Sequence, residues 1–165
     1  MTQPTVIHFG TDTSRSHEEP AAKIYLRTLL FCTAKRGQVL ESMHVSLSRS
    51  ETHQNFNIWV HGEDRLMRGS GLFVGETEVA LNHHFFAPGM EPYRFAAGKY
   101  RLDVFAQLVG KRQRMRLFTQ YLDVSQEHAA LLAKEGWGLY FDWGQIAPVI
   151  CPTLNTGLLR LEYLT

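Results

Sequence analysis

A chain of 165 residues, 44% of them hydrophobic and 20% charged, is long and apolar enough for one packed domain, and this composition excludes collagenous, disulfide-stapled and disordered classes. Seventeen Lys and Arg against sixteen Asp and Glu leave a formal net charge of +1, so no overall field draws the molecule to nucleic acid or to a membrane. The start of the chain lacks a basic segment leading into an apolar one, and Cys32 and Cys151 lie far apart and outside any C-x-x-C motif; these features predict a cytoplasmic protein with reduced thiols.

Residues 1 to 20 show little hydrophobic periodicity and are expected to be mobile in part or to order on binding. Residues 23 to 33 read as a strand, in which Cys32, beside Leu29, Leu30 and Phe31, is a small core residue rather than a nucleophile. After a turn at Lys35-Arg36-Gly37, Met43, Val45 and Leu47 alternate with polar residues, and Phe56, Ile58 and Val60 do so again. That period of two predicts strands with one buried face. Joined as an antiparallel hairpin around Glu51-Thr52-His53-Gln54, the two strands set His44 opposite Trp59 and Ser46 near Asn57, with His61 one step beyond, all facing outward.

Further strands are predicted over 71–74, 77–86, 100–108 and 114–124, separated by turn chemistry at Gly62-Glu63-Asp64, Ala87-Pro88-Gly89 and Gly110-Lys111-Arg112. Arg68-Gly69-Ser70-Gly71 reads as a turn and not as a nucleophile elbow. Gly69, Gly71 and Gly75 miss the dinucleotide-binding spacing by one residue. The strand over 100–108 is the clearest: Tyr100, Leu102, Val104, Ala106 and Leu108 share one face, while Arg101, Asp103 and Gln107 share the other. The basic run from Lys111 to Arg116 falls where a hairpin turns and reads as a solvated tip, not a nucleic-acid contact. Ser125 is placed to cap a short amphipathic helix that Gly136 ends. An aromatic stretch follows, Trp137 to Gly144, and then a closing strand near Leu158 to Leu164.

The run Ala97-Gly98-Lys99-Tyr100-Arg101-Leu102-Asp103-Val104 resembles the entrance to strand F in immunoglobulin-like and fibronectin-like domains, where a Tyr near the strand start ties down the preceding corner. The resemblance implies a mostly β chain, an immunoglobulin-like antiparallel β-sandwich with one short helix. It is read as a single domain over 1–165, with the sandwich core over about 22–124 and the helix and aromatic C-terminal extension over 125–165. The paired cysteines of antibody domains are missing, and sandwiches of this kind serve adhesion, chaperone, enzyme and scaffold roles alike, so the likeness implies no activity.

Three kinds of function remain. A non-catalytic interaction or assembly domain is the leading expectation, binding a protein partner or a second copy through an open sheet face, for which exposed edges also offer material, or through the aromatic extension with Trp137, Tyr140 and Trp143. A small-ligand or carbohydrate module would use His44, Asn57, Trp59 and His61, or the Trp137, Tyr140 and Trp143 group, although Trp59 is more readily explained as an aromatic covered by the C-terminal tail. A histidine metalloenzyme would need His61, His83 or His84, and Asp142 to converge, yet adjacent residues of a strand point to opposite faces and no recognised ligand spacing is present. No cofactor and no catalytic residue is assigned, and neither nucleic acid nor a membrane is expected as partner.

Overall fold

The computed structural model describes residues 1–12, 21–62, 67–69, 71–77, 79–89, 93–142 and 148–152. The strands are β1 Val6–Asp12, β2 Ala21–Leu30, β3 Gln38–Arg49, β4 Thr52–Phe56, β5 Ile58–Gly62, β6 Met67–Arg68, β7 Leu72–Val74, β8 Val79–Phe86, β9 Gly98–Leu108, β10 Met115–Val124, β11 Trp137–Asp142 and β12 Val149–Pro152, with one helix, α1 Gln126–Leu132, between β10 and β11. They form two antiparallel sheets, one in the order β12-β11-β1-β2-β8-β5-β6 and one in the order β10-β9-β3-β4, with β7 paired to β3. The predicted closing strand near Leu158–Leu164 lies outside the described residues.

Side-chain alternation explains how the sheets meet. On β9, Tyr100, Leu102, Val104, Ala106 and Leu108 are all buried, and β3 sets Met43, Val45 and Leu47 beside them. From the larger sheet, Ile7, Phe9, Ile24, Leu26, Phe85, Leu139 and Phe141 join the same core. The rings of Phe9 and Tyr100 meet edge to face across the two layers, with centroids 5.8 Å apart. Burial of this apolar surface is the main stabilising term, and no disulfide shares it among the described residues.

At the start of β9, the Tyr100 hydroxyl donates to the Ala96 carbonyl at 2.7 Å and the ring is almost wholly buried. The bond ties the end of the β8–β9 connection to the strand it enters. Tyr100→Phe keeps the ring and leaves that carbonyl without the donor, so a loss of about 1 kcal/mol in urea-unfolding stability is expected. An unchanged midpoint would show that the corner does not depend on this bond.

Helix α1 begins as its sequence predicts. The Ser125 hydroxyl accepts from the His128 amide at 3.1 Å, Glu127 lies in the first turn, and Leu132 is the buried anchor. Gly136 follows at φ +78, a left-handed conformation that releases the chain into β11 at little steric cost.

Three expectations are corrected. Residues 6–12, read as part of an aperiodic lead-in, form β1, which pairs with β2 on one side and β11 on the other. Its Ile7 and Phe9 are fully buried, so hydrogen bonding on both edges and core burial on one face outweigh a polar local composition. The aromatic segment is likewise not appended to a finished sandwich over 22–124, because β11 is hydrogen-bonded into the larger sheet. The third correction concerns the hairpin after β3, which turns at Ser50-Glu51 and pairs Ser46 with Asn55, not with Asn57. Ser50 takes φ 50 there, and the Thr52 hydroxyl donates to the Arg49 carbonyl at 2.7 Å, tightening the turn.

Candidate functional site

That tighter turn decides where the sequence-selected residues go. The chain leaves the smaller sheet at Asn57, which is exposed, and β5 joins the larger sheet beside β8. His44 and Trp59 therefore belong to different sheets. Phe56 faces the core from β4, whereas on β5 it is Trp59 and His61 that face inward, and Ile58 and Val60 are only half-buried on the outer side. The grouping of His44, Asn57, Trp59 and His61 on one outward face is thus corrected: one is on an outer sheet face, one at the crossover and two in the interior.

Trp59 is 3% exposed, and it is no surface platform for a sugar ring. Its indole Nε1–H donates to Nδ1 of His83 at 3.1 Å, which requires the neutral His83 tautomer protonated at Nε2. Nε2 is itself buried without a hydrogen-bond partner. Burial, then the neighbouring imidazoles of His61 and His84, hold the His83 pKa down to about 3. His61 is the cross-strand neighbour of His83, with ring centroids 6.3 Å apart, and burial lowers its pKa too. Across β6, Gly69 donates its amide to the Trp59 carbonyl at 2.8 Å, and a Cβ on Gly69 would stand 2.0 Å from the indole Cε3. The glycine is needed because the indole lies flat over it.

His84 faces the opposite way from His83, as strand alternation requires. It packs on Tyr25 with ring centroids 5.0 Å apart, and Tyr25 donates from its hydroxyl to Asn82 Oδ1 at 2.7 Å. On the same outer face, the His8 ring leans over Gly10 and meets Tyr140 of β11 at 4.4 Å. Burial is the largest cause that holds His8 to about 3 and His84 to about 4, with the Lys23 ammonium next in both. Tyr140 is thus part of an intramolecular ring cluster, Trp137 is half-buried on β11, and Trp143 lies outside the described residues. Among the described residues no three His, Cys, Asp or Glu side chains gather in a way that could hold a metal.

The outer side of the smaller sheet, ending at β10, carries a second group of aromatic and polar side chains. His44 stacks on Phe105 of β9 with centroids 5.1 Å apart and planes 11° from parallel. Burial first, and then the Arg114 charge, lower its pKa. In the next row Asp103, almost fully buried, accepts from the Thr119 hydroxyl of β10 and pairs with Arg101 at 2.9 Å, while Arg116 stands at 4.0 Å. Beyond it, Ser46 and Ser48 contact Nδ1 of His53 at 3.5 and 3.2 Å. The carboxylate nearest these hydroxyls is committed to Thr119 and the arginines, so the arrangement orders a surface and does not activate a nucleophile. Alternation along β9 had marked Arg101 and Asp103 as outward; the convergence of Thr119 and Arg116 on Asp103 depends on the β9–β10 register, which includes an irregularity between Arg116 and Phe118.

Among the described residues, β10 is the last strand of this sheet. It runs for ten residues, with Tyr121 69% and Met115 45% exposed. No protein-family model matches the chain, and neither a curated protein nor a solved structure matches it.

Proposed function

We propose that this chain is a non-catalytic interaction domain of the immunoglobulin-like kind, which assembles by pairing its β10 edge with β10 of a second copy. The edge carries the reading: ten residues of extended backbone end the smaller sheet with no further strand beside them among the described residues. An edge of that length offers backbone donors and acceptors to another strand unless it is blunted. The Tyr100-to-Ala96 bond, at the position where immunoglobulin-like domains tie down a corner, supports the finer fold assignment.

Charge along β10 suits an antiparallel self-pairing. Arg116 lies near its start and Asp123 near its end, both exposed. A two-fold axis through Gln120 sets Thr119 of one copy against Tyr121 of the other, and Asp123 against the irregularity at Arg116–Leu117, so opposite charges meet at both ends. Sedimentation velocity over a concentration series tests this. Wild type is expected to show a mass that doubles with concentration, and Asp123→Lys, which sets a cation opposite Arg116, is expected to stay monomeric while keeping the wild-type melting temperature. A wild type that is monomeric at the highest concentration reached, or an Asp123→Lys protein that still dimerises as wild type does, would overturn the reading. The ligand-module alternative gains no support from Trp59, whose indole is enclosed, or from Tyr140, whose ring packs on His8.

A further inference from the structure

We infer that one end of this molecule, built by the loops after β2, β7 and β9, docks on an anionic lipid surface. The three loops are joined there by backbone contacts. The Cys32 amide donates to the Gly75 carbonyl at 2.9 Å, and the Val109 amide donates to the Val39 carbonyl at 3.0 Å. Val39 is also the cross-strand partner of Phe73. Phe73, Val39 and Val109 therefore form a row across three strands at the end of the smaller sheet, and Phe31 adds a fourth apolar side chain from the end of the larger one.

These four are among the most exposed large apolar side chains described, with Phe73 at 61%, Val109 at 60%, Phe31 at 44% and Val39 at 38%. Phe73 is not a loose tip. A Cβ on Gly37, whose φ is +63, would lie 2.5 Å from the Phe73 ring, so the ring rests on a backbone that only glycine leaves bare. One side of the ring is fixed and the other faces solvent.

Cations flank the row on both sides. Lys35 and Arg36 stand beside Gly37, and Lys111, Arg112 and Arg114 crown the β9–β10 hairpin; all five are exposed, against Glu41 and Glu76 as the described acidic residues nearby. A chain with a formal net charge of only +1 thus concentrates positive charge where it also concentrates exposed apolar surface. Lys35, Arg36, Gly37 and Phe73, together with Glu76, further line an open depression of about 400 Å³, where two cations against one carboxylate stand next to an inserting ring.

This pattern selects the occupant. A second copy would bring like charge against like charge. A peptide needs a continuous groove or a long free strand edge, whereas apolar side chains spread over separate loops and the three-residue β7, with cations flanking them, fit a fluid surface that is negatively charged and apolar beneath. Among the described residues no helix is long and apolar enough to cross a membrane.

Co-sedimentation of the full chain with phosphatidylcholine vesicles, with and without roughly one part in three phosphatidylserine, tests the inference. Binding is expected to the anionic vesicles alone, to weaken as salt is added, and to survive an excess of inorganic phosphate. The double variant Lys35→Glu and Arg36→Glu is expected to bind more than tenfold more weakly, since each cation near the surface contributes about fivefold. Phe73→Ser should weaken binding as well. In a separate readout, Phe73→Trp should show a blue-shifted, vesicle-dependent increase in fluorescence. Failure to bind anionic vesicles at low salt, equal binding to neutral ones, or unchanged binding by the charge-reversed variant would each overturn the proposal. So would capture of polyglutamate through the same residues when anionic vesicles are ignored.

Discussion

Lowering the pH from 7 to about 4.5 is expected to unfold most of the protein, well before its carboxylates are fully protonated. The cause is a set of buried neutral histidines. His8 and His83 are held to about 3 and His84 to about 4, each from an ordinary 6.5, with burial the largest cause. Because the folded pKa is below the unfolded one, the unfolded chain binds the extra protons. The contribution of these groups is complete above pH 6.5 and is lost as the pH falls through the window from 6.5 towards 3 to 4. One pKa unit corresponds to about 1.4 kcal/mol, so the three together remove several kcal/mol by pH 4.5, which is on the order of the whole stability of an ordinary domain.

Structure says what protonation breaks. At His83 the proton must enter at Nδ1, the atom that accepts the Trp59 indole N–H. At His8 it creates a charge in an enclosed site beside the Lys23 ammonium. Urea midpoints measured every half unit between pH 7.5 and 4.5, with a pH-insensitive probe such as circular dichroism, give the slope. His83→Gln should lower stability at pH 7 and also flatten the slope by close to one proton. A midpoint that is the same at pH 7 and pH 5 would mean that these imidazoles are solvated and would remove the argument.

Trp59→Ser is expected to destabilise the protein by about 3–5 kcal/mol, the usual result of truncating a buried large aromatic. For a chain of this size that lowers the melting temperature by roughly 10 °C or more. Two consequences add to the lost apolar contact: His83 Nδ1 loses its donor, and the bare backbone of Gly69 loses the indole that covers it. Gly69→Ala should be costly for the complementary reason, since its new methyl falls on the ring. In the double variant Trp59→Ala with Gly69→Ala, the added methyl no longer meets an indole. The two changes are therefore expected to be markedly less than additive, with a coupling of order 1 kcal/mol or more. A Trp59→Ser protein that melts with wild type would restore the indole as a surface group available to a ligand.

Local chemistry decided a good part of this molecule. Strict alternation from Tyr100 to Leu108 chose the inward face of β9, and the same rule separated His83 from His84. Ser125 and Gly136 bounded the helix through capping and left-handed backbone, both of which act within a few residues. These features are legible because each depends on neighbours in sequence. The fate of Trp59 is not of that kind. Phe56-Asn57-Ile58-Trp59-Val60-His61 sets Phe56, Ile58 and Val60 on one alternating face and Asn57, Trp59 and His61 on the other, and which face of β5 turns inward depends on the crossover at Asn57 and on pairing with β8, more than twenty residues away. β1 is not legible in the sequence for a related reason: its Ile7 and Phe9 are too few to outweigh a polar lead-in until β2 and β11 supply partners on both sides. Likewise, nothing in the local sequence gathers Phe31, Val39, Phe73 and Val109 at one end. Periodicity reports which side chains leave water, whereas the sheet and the companions they reach there are set by long-range strand pairing, which only the tertiary structure decides.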